Sequence, residues 1–183
     1  MNILAVQGSP KRNGNTAALL HHFLKAMEED KNVKIEQIYL ASKNIKPCMG
    51  CGKCKKASQG CVMKDDMREI YSSLLAADVL VLASPIYWFN VTAQTKPFLD
   101  RIYGLPDYEN VLQGKKFVLL MTYFDPDPNI GARITTDMMK EACAYVKMDF
   151  AKVLGVCTGT VSVQENFPAQ AEAYHLGKAL LEE

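Results

Sequence analysis

The chain has 183 residues, 49% of them hydrophobic, and a formal net charge of +1. That length suits one domain with a sizeable core, and the near-zero charge gives no electrostatic reason to expect a nucleic acid or an acidic membrane as partner. No apolar run reaches the length of a membrane span and no signal-peptide pattern precedes the first strand, so the expected location is the cytoplasm.

Ile3-Leu4-Ala5-Val6 is an uninterrupted apolar run, as in a strand buried on both faces. Gly8-Ser9-Pro10-Lys11-Arg12-Asn13-Gly14-Asn15-Thr16 follows, and Leu20, Phe23, Leu24 and Met27 then recur at helical spacing from Ala17 to about Met27. A helix N-terminus presents unpaired N–H groups and partial positive charge. Gly8 and Gly14 let the backbone approach closely, Ser9, Asn15 and Thr16 add short donors, and Lys11 and Arg12 add charge. The loop therefore suits a phosphate, although it is neither G-x-x-x-x-G-K-S/T nor G-x-G-x-x-G. The plain alternative is an ordinary turn capped by Asn15 or Thr16.

Val33 to Leu40 mixes polar and apolar residues and predicts a strand at a sheet edge. Lys43 to Lys64 holds four cysteines and three glycines without any period, which predicts a long functional loop. Asp65-Asp66 should cap a helix carrying Met67, Ile70, Leu74 and Leu75. Val79 to Ala83 is a pure apolar strand ended by Ser84-Pro85, and Thr92 to Tyr103 reads as a helix that Pro97 should kink. Phe117 to Met121 is a fourth strand, followed by a Pro, Asp and Asn-rich loop from Tyr123 to Gly131, in which Asp125 and Asp127 read as turn residues. A helix from Thr135 to Tyr145, a mixed edge strand from Lys152 to Cys157 and a helix from Pro168 with Tyr174, Leu176 and Leu180 complete the chain. His21, His22 and His175 read as surface residues, and Cys143 and Cys157 as core residues.

Five strands alternating with five helices predict an α/β fold, a three-layer sandwich around a parallel sheet in the order 2-1-3-4-5, with residues 1–183 as a single domain. In such a sheet the loops after all five strands share one edge. One of them, Pro85-Ile86-Tyr87-Trp88-Phe89-Asn90, would set an aromatic wall beside the phosphate loop, with Thr122 and Tyr123 opposite and Asn90 able to donate to a polar edge. A cofactor with a planar ring at one end and a phosphate at the other fits that arrangement; otherwise the aromatics simply cover the top of the core.

The motifs G-S-P-x-x-x-G-N-T from Gly8 and P-I-Y-W-x-x-x-x-A-Q-x-K-x-F-L-D-R from Pro85 resemble the NADPH-dependent FMN reductase group of flavodoxin-like proteins. The cysteine loop makes the chain similar to the iron–sulfur flavoproteins within it. The resemblance covers roughly Met1 to Arg101 and departs at one place, with Lys11 then Arg12 where the group usually has Arg after the proline. It implies that Ser9, Lys11, Asn15 and Thr16 hold the FMN phosphate, with Arg12 adding charge, and that Pro85 to Asn90 line the isoalloxazine, which Thr122 and Tyr123 would flank from the other side by their place in the sheet. It also implies NAD(P)H or ferredoxin as electron donor, a small-molecule acceptor, and a homodimer or homotetramer.

The cysteines are spaced Cys48-x2-Cys51-x2-Cys54-x6-Cys61. Three at x2 spacing can wrap one side of a cubane and the fourth can close it, a pattern resembling that of [4Fe–4S] ligands. Zinc held by four thiolates, a disulfide pair, or an empty loop are the rivals. Three functions stay open: an FMN-dependent oxidoreductase, with a cluster or as a cluster-free NAD(P)H:FMN or quinone reductase; a non-catalytic one-electron carrier; and a non-redox module with a zinc-stapled loop.

Overall fold

Strands β1 (Asn2–Gln7), β2 (Lys34–Tyr39), β3 (Val79–Pro85), β4 (Lys116–Tyr123) and β5 (Asp149–Cys157) form one parallel sheet in the order β2-β1-β3-β4-β5. This is a computed structural model, and it describes residues 1–56 and 60–182; positions 57–59 of the expected cysteine-rich loop lie outside the described residues. Seven helices accompany the strands among those residues: α1 (Asn15–Met27), α2 (Lys53–Lys56), α3 (Met67–Ala76), α4 (Thr95–Ile102), α5 (Tyr108–Val111), α6 (Ile130–Tyr145) and α7 (Phe167–Leu181).

The strand burial follows from composition. β1, β3 and β4 are apolar and buried almost end to end, whereas β2 and β5 interleave polar residues and keep an exposed margin. Successive side chains point to opposite faces, so each central strand feeds two cores. Leu4, Val6, Leu80, Leu82, Leu119 and Met121 pack on the side of α3, α4 and α6. Ile3, Ala5, Val79, Val81, Val118 and Leu120 pack on the side of α1 and α7.

The helix starts differ from the periodic reading. α4 begins at Thr95 and not Thr92, so Pro97 falls in the first turn, where its missing N–H has no carbonyl to meet; the proline fits without breaking the helix interior. α6 begins at Ile130, five residues before the expected Thr135, because Asn129 Oδ1 accepts from the Ala132 N–H at 2.9 Å and caps it. At α3 the capping bond comes from Asp65, whose Oδ1 accepts from the Met67 N–H at 3.2 Å, while Asp66 accepts from the Asn44 N–H at 2.8 Å. The short helices α2 and α5, four residues each, carry too little pattern to be read from sequence.

α7 buries Ala169, Ala173, Gly177 and Leu180, and Tyr174 lies off that face, donating to Glu29 Oε1 at 2.6 Å. Its small residues let it lie close against α1. A Cβ on Gly177 would come within 2.4 Å of the Phe23 carbonyl oxygen, a backbone atom that cannot turn aside. Gly177→Ala should therefore destabilise the protein by about 1–3 kcal/mol from overpacking, against a helix-propensity gain of at most about 1 kcal/mol. Urea unfolding checks the sign; a stabilised variant would mean that the two helices can part without cost.

Candidate active site

The loops after β1, β3, β4 and β5 are tied together at the carboxyl edge of the sheet. The Gly8 N–H donates to the Ala83 carbonyl at 2.7 Å, and Thr92 Oγ1 donates to the Gly8 carbonyl at 2.6 Å. Gly8 admits no side chain, since a Cβ there would collide with Thr95 Oγ1 at 2.0 Å. Buried Thr16 and Thr122 share a hydrogen bond of 2.7 Å between their hydroxyls, joining the start of α1 to the end of β4. The Ile86 N–H donates to the Thr122 carbonyl at 2.8 Å, and Asn15 Oδ1 accepts from the Val163 N–H at 3.0 Å.

The glycine loop curls over the N-terminus of α1, whose first-turn N–H groups have no carbonyl to meet within the helix. Ser9 is buried, and its Oγ accepts from the Lys11 N–H at 3.1 Å, leaving its own proton to donate. Lys11 and Arg12 are exposed, and Arg12 lies over the Tyr39 ring, 5.6 Å from its centroid. The Tyr39 hydroxyl donates to the Pro10 carbonyl at 2.7 Å, so β2 supports the loop from one side.

Tyr87 and Asn90 close a two-residue turn with reciprocal backbone bonds of 2.8 and 3.2 Å. Its central residues, Trp88 and Phe89, have φ of 48° and 67°, a left-handed conformation that bulky residues rarely adopt and that stores backbone strain. The turn lifts Trp88 to 92% exposure, so these aromatics do not cover the core. Beside it runs a cleft of about 400 Å³, walled by Ile86, Trp88 and Phe89 on one side and by Tyr123 to Pro126 and Pro128 to Gly131 on the other. Pro85 ends β3 outside the cleft lining, and Asn90 turns its amide Nδ2 toward Met138 Sδ at 3.8 Å. The Tyr123 hydroxyl donates to Asp127 Oδ1 at 2.8 Å; burial first, then that carboxylate, pushes its pKa well above the usual phenol range. Phe124, Pro126, Asn129 and Ile130 were not singled out in the sequence, where the proline-rich run signalled only a turn.

The loop after β2 leaves this edge and lies against the far end of α4. Cys48, Cys51, Cys54 and Cys61 line one cavity of about 170 Å³, together with Arg101 and Gly104. Among the described residues, no three metal-binding side chains converge on a single ion position. Gly50, Gly52 and Gly60 all have positive φ, the left-handed turns that fold the short segment back on itself. Arg101 Nη1 donates to the Lys46 carbonyl at 2.9 Å and to Asp65 Oδ2 at 2.6 Å, and Nη2 donates to Asp65 Oδ1 at 3.0 Å. The cysteine cavity and the aromatic cleft share no lining residue.

The sequence model of the NADPH-dependent FMN reductase family matches residues 1–157. The chain belongs to that family. Its members are FMN-dependent oxidoreductases, and the present chain is an oxidoreductase of that kind. An iron–sulfur flavoprotein of Archaeoglobus fulgidus is 32% identical over 167 residues, covering 90% of this chain and 74% of the relative. An iron–sulfur flavoprotein of Methanocaldococcus jannaschii is 39% identical over 101 residues, 55% of this chain and 51% of its own length, so the match spans about half of that relative. Among solved structures, an NAD(P)H:quinone oxidoreductase from Methanothermobacter marburgensis superposes with a TM-score of 0.78 at 17% identity, over 98% of this chain and 96% of the other. An FMN-dependent NADH-azoreductase from Bacillus anthracis, solved in complex with FMN, gives 0.76 at 15% identity over 98% and 99%. At those identities the likeness concerns the flavodoxin-like fold. Among the described residues, no helix is long and apolar enough to cross a membrane.

Proposed function

We propose that the chain is an iron–sulfur flavoprotein-like oxidoreductase. In this reading FMN lies along the carboxyl edge, its phosphate at the N-terminus of α1 and its ring in the cleft beside Trp88. The observation that carries the reading is the pairing of an exposed, strained aromatic turn with a cleft whose inner end is tied by the Thr16–Thr122 bond to a helix N-terminus. The residues present fit the group. Ser9 and Thr16 offer hydroxyl donors next to the free first-turn N–H groups, and Gly8 keeps the backbone close. Trp88, Phe89 and Tyr123 offer flat apolar surface to a ring. FMN bound there would supply hydride and one-electron chemistry, for which the protein contributes binding and orientation. Exposed Lys11 and Arg12 would add positive charge beside that phosphate.

By its donor set the cysteine cavity suits a [4Fe–4S] cluster: four thiol-bearing residues line one cavity, and Lys53, Lys55 and Lys56 on the adjoining short helix would offset negative charge. NAD(P)H or a ferredoxin-type protein would be the donor and a small molecule the acceptor. The apolar rim of the cleft, with Trp88, Phe89, Phe124 and Ile130 exposed, supports a homodimer or homotetramer in which a second copy covers it.

Trp88 is the chain's single tryptophan, so titrating FMN into the apoprotein should quench its emission strongly. Emission that stays constant while FMN binds would place the ring elsewhere. Iron and sulfide counts after anaerobic purification test the cluster, and steady-state NAD(P)H oxidation separates an enzyme from a simple electron carrier.

A further inference from the structure

We infer that Arg101 is a positioning residue for the cysteine site, donating its free Nε–H to a sulfur at the Cys61 side of the cavity and raising the reduction potential of the cluster held there. The inference rests on the cluster reading given above. Arg101 is 1% exposed, and both of its terminal nitrogens are engaged by Asp65 and the Lys46 carbonyl. Its Nε is buried and has no hydrogen-bond partner. A buried donor without an acceptor is costly and uncommon in a native protein, so an acceptor is expected when the site is complete.

Geometry indicates where that acceptor lies. Arg101 lines the same cavity as the four cysteines. The Cys61 N–H donates to the Gly104 carbonyl at 3.1 Å, which holds Cys61 against the end of α4. The Tyr71 hydroxyl donates to the Arg101 carbonyl at 2.8 Å, and a Cβ on Gly104 would sit 2.4 Å from that hydroxyl and 2.9 Å from Cys61 Cβ. Gly104 is thus the gap in which the Arg101 backbone, the Tyr71 hydroxyl and Cys61 meet. Hydrogen bonds to ligand sulfurs and nearby positive charge favour the more negative, reduced state of a cluster. Asp65 balances the guanidinium charge and fixes its plane, so the remaining Nε–H is held in place.

Arg101→Lys keeps a cation for Asp65 and removes the Nε donor. In anaerobic holoprotein, redox titration followed by electron paramagnetic resonance should show the variant with wild-type iron and FMN contents. Its cluster reduction equilibrium should fall at least fivefold, with the flavin potential unchanged. A smaller shift in the cluster overturns the inference while leaving the cluster itself established. If the variant does not fold or load, wild-type protein grown on ¹⁵N-arginine decides: the reduced cluster should show hyperfine coupling to ¹⁵N, and absence of that coupling overturns the inference. Wild-type protein that takes up no iron on anaerobic reconstitution overturns the cluster reading and this inference together.

Discussion

Replacing Asp65 by Ala should lower stability by about 3–5 kcal/mol, because it strands the Arg101 guanidinium in a site from which water is excluded. Both side chains are essentially inaccessible, at 0% and 1%. Asp65 also accepts from the Lys46 and Met67 N–H groups, so one carboxylate ties the cysteine loop, the start of α3 and the end of α4. The comparison pair is Lys96–Asp100 on the same helix, with side chains 57% and 43% exposed; Asp100→Ala there should cost less than about 1 kcal/mol. Burial pushes the Asp65 carboxyl upward, but hydrogen bonds from Arg101 and the Lys46 N–H outweigh it and hold the group below the usual carboxylate range. A carboxyl depressed in the folded state stabilises above its unfolded pKa, about 3.9, and that contribution disappears as pH falls through the folded value. Urea midpoints of wild type should therefore drop more steeply in acid than those of Asp65→Ala. Equal acid slopes, or a loss no larger than that of Asp100→Ala, would show that the pair does not hold the loop.

On the proposed cluster reading, Cys51→Ser should abolish iron binding and leave FMN in place. Among the described residues, the cysteine cavity shares no lining residue with the aromatic cleft, and the loop is fastened to α3 and α4 rather than to the glycine loop after β1. Nicotinamide oxidation, if the protein performs it, should stay within about twofold of wild type, since no group near its cleft changes. Activity with a ferredoxin-type one-electron donor should fall at least about tenfold, equivalent to roughly 1.4 kcal/mol or more on the barrier. The measurements are iron, flavin and both activities, all anaerobic. Loss of FMN with the iron would show that the cysteine loop builds the flavin site, and full ferredoxin-linked activity without iron would show that the cysteines are not on the electron path.

The sheet could be read from the sequence because burial leaves a direct mark. Ile3–Val6, Val79–Ala83 and Phe117–Met121 are apolar without interruption, and the mixed β2 and β5 could only be margins. Helix beginnings were less legible, since they depend on single capping bonds. Asn129 looked like one more turn residue until its Oδ1 met the Ala132 N–H. Pro97 reads as a kink because its distance from the true N-cap is not visible in the sequence. At the site, the aromatic run and the cysteine spacing announced themselves, yet the exposed turn with positive φ at Trp88 and Phe89 did not, because nothing in Tyr-Trp-Phe-Asn specifies a glycine-like backbone. Arg101 was part of a recognisable motif, but its burial and its pairing with Asp65, 36 positions away in sequence, are products of tertiary packing.

Helix α4 acts as a ruler. One end, Thr95, abuts Gly8 in the loop after β1, and the other, Arg101, lines the cysteine cavity. Six residues at the helical rise separate them by about 9 Å, and each residue turns the helix by about 100°. Insertion or deletion of a single residue between these positions would swing Arg101 out of register with Asp65. Variation in length should therefore be rejected within α4, so a transplanted cysteine loop would need to bring this helix and its arginine with it.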